Sequence, residues 1–248
     1  MDRELDGAID RLEAALAEIG CSHWLLPPAD PAAVDAVVEA VAPFVLPDEV
    51  RHLWRRHGGV DIGWGHWWIG WLAPAEALGY WEDFKGIDEG FPDSWPYWSD
   101  DCWFPIALHE RSTFFVVLRA EPAPRSLVAE HSSQSLDIRV HHSSVRTWVL
   151  MLELAIRTFA DLGLDPTVRH VSVYDWYDLT HPLQPVAEEG FMLPAALVER
   201  VQQDLPRIRA LDAGLTWPEP TPTKVDSGDP LVGPWPAALG VDQGATEP

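Results

Sequence analysis

The sequence contains few of the features that define several large protein classes. Only two cysteines occur in 248 residues, Cys21 and Cys102, and they form neither a CxxC pair nor another metal-ligand spacing. A disulfide framework or a zinc site is therefore not expected. No apolar run approaches the roughly 20 residues that span a bilayer, and the N-terminal segment lacks the basic start and apolar stretch of a signal peptide. We expect a cytoplasmic protein that does not enter a membrane.

Basic residues are also scarce. The chain has 17 lysines and arginines against 39 aspartates and glutamates, which gives a formal net charge of −22. Charge of this sign repels nucleic-acid phosphates and anionic lipids, and it attracts a basic partner over long distances. Nucleic-acid binding is therefore disfavoured, and the charge favours a basic protein as partner. Acidity that serves only solubility is the alternative interpretation.

The sequence motifs of common enzyme classes are missing as well. There is no GxSxG elbow, no P-loop and no GxGxxG fingerprint. His109, His131, His141 and His142 lie near the ends of predicted strands, but adjacent side chains in a strand point to opposite faces, so His141 and His142 cannot chelate one ion in regular β geometry. We expect surface histidines and a protein that is not an enzyme, with no catalytic residue, no metal and no cofactor.

Apolar spacing and capping residues predict several helices. The apolar positions from Leu5 to Ile19 recur at steps of three and four, which predicts an amphipathic helix that stops at Gly20. Asp30 followed by proline predicts the start of a second helix. A third is predicted to start at Leu46-Pro47-Asp48 and to end at Gly58-Gly59, where glycine would supply a positive φ. Ser143-Ser144 is predicted to cap the most regular helix.

The second half of the chain alternates strand and turn signals. Four strands are predicted at residues 103–108, 114–119, 127–130 and 136–141, which together form an antiparallel meander. A short strand at 171–177 and a helix at 197–208, kinked or divided at Pro206, are predicted to follow. These elements predict an α+β domain at residues 1–165, a C-terminal extension packed on it at residues 166–215, and a Pro- and Gly-rich flexible tail at residues 216–248.

Nine of the 14 tryptophans lie between Trp54 and Trp103. We expect the stretch VDIGWGHWWIGW, residues 60–71, to be mainly interior packing, with its glycines allowing close approach. Core positions are predicted for tryptophans that lie on the faces of predicted elements, namely Trp54, Trp64, Trp68, Trp103 and Trp148.

The acidic aromatic loop, predicted at residues 78–102, combines aromatic rings with carboxylates. Such a combination is typical of a surface that binds a basic protein, because rings anchor the centre and charges speed the encounter. The predicted partner-binding residues are Trp81, Glu82, Asp83, Asp88, Glu89, Trp95, Tyr97, Trp98, Asp100 and Asp101. Four alternatives remain: a merely solvated loop, a metal site on the oxygens of Asp100 and Asp101, a carbohydrate-binding or cell-wall-related regulatory protein that uses exposed Trp rings, and a hydrolase in which Asp100 or Asp101 is buried.

The order of these segments resembles the SUKH superfamily, the Smi/Knr-type domains. The resemblance is carried by VDAVVEAVAPF, VLPDEVRHLWRRHGGVDIG, WFPIALHERSTFFVVLRA and SSVRTWVLMLE, and it covers about residues 25 to 160. It implies an α+β fold with a mixed or antiparallel sheet backed by helices, and no catalytic residues. Bacterial members of the family resemble immunity proteins that neutralise toxins, often nucleases, whereas fungal members are interaction modules linked to cell-wall regulation. The function implied is non-catalytic binding of a basic, toxin-like protein.

Overall fold

The chain has an α+β fold in which helices pack on an antiparallel sheet. The computed structural model describes residues 3–60, 70–88, 103–109, 112–122, 125–132, 138–163 and 195–211. Its helices are α1 (Arg3–Glu18), α2 (Pro31–Ala40), α3 (Asp48–Arg56), α4 (Pro74–Asp88), α5 (Val145–Asp161) and α6 (Ala195–Leu211), with a short 3-10 helix at Ser22–Trp24. Its strands are β1 (Gly70–Trp71), β2 (Trp103–His109), β3 (Ser112–Val117), β4 (Val128–Ser132) and β5 (Ile138–His142). The predicted fold class is confirmed.

The helix boundaries follow the capping signals of the sequence. Asp30 accepts a hydrogen bond from the backbone N–H of Ala32 at 3.0 Å and so caps α2. Ser144 accepts one from the N–H of Thr147 at 3.1 Å at the start of α5. Gly20, which follows α1, has a φ of 75°, a conformation that glycine adopts without steric cost. These three predicted ends are confirmed.

The predicted role of the two glycines after α3 is wrong. Neither Gly58 nor Gly59 has a positive φ. Instead, a Cβ on Gly58 would lie 2.8 Å from the carbonyl oxygen of Pro27, and a Cβ on Gly59 would lie 3.2 Å from the backbone nitrogen of Ala73. A side chain at Gly58 would therefore force the backbone to shift, and one at Gly59 would make a tight contact, because neighbouring backbone segments approach closely.

The sheet has the strand order β1-β2-β3-β4-β5, and every neighbouring pair is antiparallel. The predicted meander is therefore confirmed, with the two-residue strand β1 added at one edge. A register shift between Pro105 and Ala107 interrupts the pairing of β2 with β3. Proline has no backbone N–H to donate between strands, so a strand tolerates it at an interruption of the pairing such as this one.

Helices cover both faces of the sheet. Phe114 and Phe115 are neighbours in β3 and therefore point to opposite faces. The ring of Phe114 lies 6.4 Å from that of Trp148 in α5, and the ring of Phe115 lies 5.4 Å from that of Phe84 in α4. Because both faces are covered, β2 and β3 are apolar and buried almost throughout, without the alternation of a half-exposed strand.

Two further helices pack on α5. Helix α1 lies along it with the buried stripe Leu5, Ile9, Leu12 and Leu16, as its spacing predicted. Helix α6 also contacts α5 and continues through Pro206 without a division. The segments at residues 61–69, 171–177 and 216–248 lie outside the described residues. No described helix combines the length and the apolarity that crossing a bilayer requires.

A buried carboxylate joins α3 to the start of α5. Glu49, in the first turn of α3, is only 1% exposed. It accepts hydrogen bonds from the backbone N–H groups of Ser126 at 3.2 Å, Val145 at 3.2 Å and Arg146 at 3.3 Å. The first N–H groups of a helix have no intrahelical acceptor, and negative charge is favourable there. Glu49 therefore completes the cap that Ser144 begins.

We expect Glu49→Ala to lower the free energy of unfolding by about 3 kcal/mol, because three backbone donors lose their carboxylate acceptor. Urea-induced unfolding monitored by tryptophan fluorescence measures the change. Glu39→Ala, which removes an exposed glutamate near the end of α2, is the matched control and should change stability by less than about 0.5 kcal/mol. Equal stability of the two variants would contradict the role assigned to Glu49.

Candidate partner-binding surface

Helix α4 contains the described part of the acidic aromatic segment. It begins at Pro74, and Glu76 accepts a hydrogen bond from the backbone N–H of Ala73 at 3.0 Å. Proline in the first turn and a glutamate that reaches back to the preceding N–H are both helix-starting features. The prediction of a loop is therefore wrong for residues 78–88, which are helical. The apolar spacing of Ala77, Trp81 and Phe84 explains the difference, because it places them on one side of a helix.

Trp81 is part of the core, which corrects its predicted role as an exposed anchor. Its side chain is 3% exposed. Its ring lies 6.0 Å from that of Phe104, which in turn lies 6.2 Å from that of Trp54. Three elements thus meet through aromatic contacts at this point, since Phe104 belongs to β2 and Trp54 to α3.

The outward side of α4 has a different composition. Tyr80 is 40% exposed, and it is the one large hydrophobic side chain that is exposed among the described residues. Glu76 precedes it by four residues and Asp83 follows it by three, so both are its neighbours on the helix surface. Glu82, Asp83, Glu76 and Gly79 are exposed as well. We call these five residues, 76, 79, 80, 82 and 83, the outer face of α4.

The structure describes only part of the predicted set of partner-binding residues. Glu82 and Asp83 lie on the outer face of α4 as exposed carboxylates. Asp88 is the last residue of α4, and its side chain lies outside the description. The remaining predicted residues, Glu89, Trp95, Tyr97, Trp98, Asp100 and Asp101, also lie outside the described residues. Sequence reasoning missed Tyr80, although its spacing from Glu76 and Asp83 was a usable signal.

The described tryptophans lend no support to sugar stacking on exposed indoles. Six tryptophans are described, and none is more than 8% exposed: Trp24, Trp54, Trp71, Trp81, Trp103 and Trp148. The core positions predicted for Trp54, Trp103 and Trp148 are confirmed. Trp64 and Trp68 lie outside the described residues, whereas Trp71, at the end of the tryptophan-rich stretch, is buried.

The acidic residues of α1 are all paired within the molecule. Their carboxylates contact arginines and histidines of α3, of the residue that follows α3, of α5 and of the segment before β4: Glu4 pairs with Arg125 and Arg146, Asp6 with His52 and Arg56, Asp10 with Arg56, Glu13 with Arg56 and His57, and Glu18 with Arg157. A shallow pocket beside this cluster is lined by Asp10, Glu13 and His57, which are part of the same pairings. The charge of α1 is therefore largely neutralised.

Helix α4 differs from α1 in this respect. No ion pair within the part of the chain that the structure describes involves Glu76, Glu82 or Asp83. Three exposed carboxylates and an exposed aromatic ring thus lie on one helix, and none of these carboxylates is paired with a cation among the described side chains. This arrangement suits the binding of a positively charged group from outside.

The pairing of α1 with α3 changes proton affinities. A hydrogen bond from His52, at 2.8 Å, is the main cause that lowers the pKa of Asp6, and Arg56 adds to the effect. Hydrogen bonds to Asp10 and then Glu13 raise the pKa of Arg56 above its usual range. These shifts arise from interactions that hold helices together, so they identify a structural contact between α1 and α3.

Two histidines differ from expectation. His109 and His142 are buried, at 7% and 2% exposure, so the prediction of surface histidines is wrong for them. Both lie in strands of a sheet that is covered on both faces, which is why their side chains are enclosed. The side chains of His131 and His141 are outside the description. Among the described residues, no three His, Cys, Asp or Glu side chains are grouped so that they could hold a metal ion.

Comparison with protein-family models and with curated proteins found no match to this chain.

We expect Trp81→Ala to lower the free energy of unfolding by about 3–5 kcal/mol, because it leaves a large cavity between α4 and β2. Thermal and urea-induced unfolding measure the effect. Tyr80→Ala is the matched control, since it removes the adjacent exposed ring and should cost no more than about 0.5 kcal/mol. If the two variants were equally stable, the burial assigned to Trp81 would be wrong.

The lowered pKa of Asp6 predicts how its contribution to stability depends on pH. As the pH falls through 3.8, the ordinary value, the unfolded chain takes up the proton before the folded chain does, so the stabilisation declines. The stability difference between wild type and Asp6→Asn should therefore be largest above about pH 5 and shrink below it. Urea-induced unfolding at a series of pH values measures it. A difference that did not change with pH would contradict the pairing of Asp6.

Proposed function

We propose that this chain is a non-catalytic, SUKH-type immunity protein that neutralises a basic, nuclease-like toxin in the cytoplasm. The observation that carries the proposal is the outer face of α4, where three exposed carboxylates that have no ion pair among the described residues lie on the same helix as an exposed tyrosine. A binder of basic proteins needs a surface of this kind, because the ring contributes contact area and the carboxylates receive the partner's cations.

The distribution of charge supports the choice of a basic partner. The net charge of −22 creates a negative potential that accelerates the encounter with a cationic protein. Where acids such as those of α1 are paired internally, they contribute little to that potential outside the molecule. The carboxylates of α4 are exposed, so we expect the partner to be drawn to that side.

The chemistry of nucleases supports the choice of toxin class. A nuclease binds nucleic-acid phosphates with lysine and arginine side chains, which makes its active-site region positive. An acidic protein surface competes with the nucleic acid for those cations. Binding there would block the substrate, so neutralisation needs no catalytic group in the immunity protein.

The order of the elements supports the family assignment. A helix, a second helix that starts after Leu46-Pro47, the antiparallel strands β2 and β3, and a Ser-capped helix follow one another in the order expected for the resemblance. The geometry of the outer face of α4 does not depend on this assignment. The binding proposal therefore stands on the residues of α4.

We expect a double variant, Glu82→Lys with Asp83→Lys, to lose the partner. The matched control is Asp35→Lys with Glu39→Lys, which reverses two exposed carboxylates of α2 and changes the net charge equally. The tagged chain, produced in its native host, should capture a basic protein with wild type and with the α2 variant, but not with the α4 variant. The association rate with that protein should fall about tenfold or more as salt is added.

Neutralisation is tested with the captured protein itself. Its expression alone should arrest growth, and co-expression of the wild-type chain or the α2 variant should restore it, whereas the α4 variant should not. A partner that binds equally to the α4 variant would contradict the assignment of the surface. A harmless partner, or an association that does not respond to salt, would contradict the function.

A further inference from the structure

The ring of His57 joins α1 to the segment before α2. His57 is the residue that follows α3, and its side chain is 17% exposed. Its Nδ1 lies 3.1 Å from the backbone carbonyl oxygen of Leu26, and its Nε2 lies 2.8 Å from a carboxylate oxygen of Glu13. Both partners can only accept a hydrogen bond, and a neutral imidazole carries a single N–H. Both contacts are therefore hydrogen bonds only when the ring is protonated on both nitrogens.

The charges around His57 also favour the protonated ring. Arg56 donates hydrogen bonds to all three neighbouring carboxylates of α1, at distances between 2.7 and 3.1 Å, and His52 contacts one of them at 2.8 Å. We call these six residues the α1 clamp: Asp6, Asp10, Glu13, His52, Arg56 and His57. With both histidines neutral, three negative charges face one positive charge. Protonation of the two histidines balances the cluster.

Arg56 is the one group of the clamp that opposes protonation of His57. Both side chains contact the same oxygen of Glu13, so a charged ring lies near the guanidinium. The other two carboxylates on Arg56 offset its charge. Among the described residues, no other ion pair or side-chain hydrogen bond involves the α1 clamp, and the ring of Trp71, 6.4 Å from that of His57, adds no charge.

We propose that His57 is a proton-dependent clamp, which fastens α1 and the segment before α2 to the end of α3 when its ring is charged and loosens as the pH rises. Folding gives the charged ring two acceptors, so the unfolded chain loses this proton first as the pH rises. The stabilisation is therefore complete at low histidine charge loss, below about pH 6, and declines towards about pH 8. This inference does not depend on the binding surface of α4.

Loosening is expected to be local. The backbone N–H of Gly58 donates to the carbonyl of Pro27 at 2.8 Å, and that of Leu26 donates to the carbonyl of Gly59 at 3.0 Å. These two bonds join the same segments that the His57 ring joins. The apolar stripe of α1 packs on α5 instead, so it keeps the helix in place when the clamp opens. Hydrogen exchange at the two amides therefore reports on the clamp.

The first test compares the pH dependence of urea-induced unfolding between wild type and His57→Gln, since glutamine is polar but does not titrate. The unfolding constant of wild type divided by that of the variant should rise about fivefold from about pH 6 to about pH 8.5, as one hydrogen bond of the charged ring is lost. The same ratio for His23→Gln, which removes an exposed histidine outside the clamp, should stay constant.

Two further variants separate the second acceptor from general charge. The ratio for His52→Gln should rise less, because only one nitrogen of His52 has a described acceptor and a neutral ring can still donate from it. Glu13→Gln should remove most of the dependence on His57, whereas Glu39→Gln, at an exposed glutamate of α2, should keep it. Equal rises for the two histidine variants would overturn the role given to the second acceptor.

Wild type alone provides a test that needs no stable variant. At about pH 7, NMR of the ring nitrogens should show His57 protonated on both and His23 largely neutral. Protection of the Gly58 and Leu26 amides from exchange should fall between about pH 6 and about pH 8.5, while that of Val41, which donates to Val37 at the end of α2, should not. A neutral His57 ring at about pH 7, or a ratio for His57→Gln that does not change with pH, would overturn the proposal.

Discussion

The arrangement of the helices depends on one buried carboxylate. Glu49 lies in the first turn of α3, yet its oxygens accept hydrogen bonds from the first two N–H groups of α5 and from Ser126, just before β4. A buried carboxylate without such donors would be costly, and a buried helix start without an acceptor would be costly as well. The N–H groups supply the donors that the buried carboxylate needs, and the carboxylate supplies the acceptor that the start of α5 needs. These hydrogen bonds hold α3, α5 and the sheet in one relative position.

Around this centre the molecule separates its acidic residues into two populations. Those of α1 are paired with cations of α3 and α5, so they contribute to the packing of helices that are distant in sequence. Those on the outer face of α4 have no described ion pair and are exposed, as Tyr80 is. A single composition, with many acids and few bases, therefore supplies ion pairs between helices at α1 and exposed negative charge at α4.

Much of the fold follows from local signals. The capped helices α2 and α5, the amphipathic helix α1 and the antiparallel strands after Trp103 were all predictable, because caps and apolar periodicity act between residues close in sequence. Of the five residues on the outer face of α4, only Glu82 and Asp83 were predicted as part of the binding surface. The polar composition around α4 suggested a loop, whereas the spacing of Ala77, Trp81 and Phe84 places an apolar side of a helix against the sheet, where Trp81 contacts Phe104 from more than twenty residues away.

The sequence by itself determined the charge of the molecule, its helix caps and the strand order of the meander, since each depends on composition or on short-range spacing. Only the tertiary structure decided which aromatic residues are enclosed and which acids are neutralised. Trp81 and Tyr80 are adjacent in the chain, yet one is buried and the other exposed. Asp6 and Glu82 are both carboxylates, yet among the described side chains only Asp6 contacts a histidine and an arginine, 46 and 50 residues away. Burial and ion pairing depend on neighbours that folding brings together from distant parts of the chain. A pattern of residues close in sequence does not identify those neighbours.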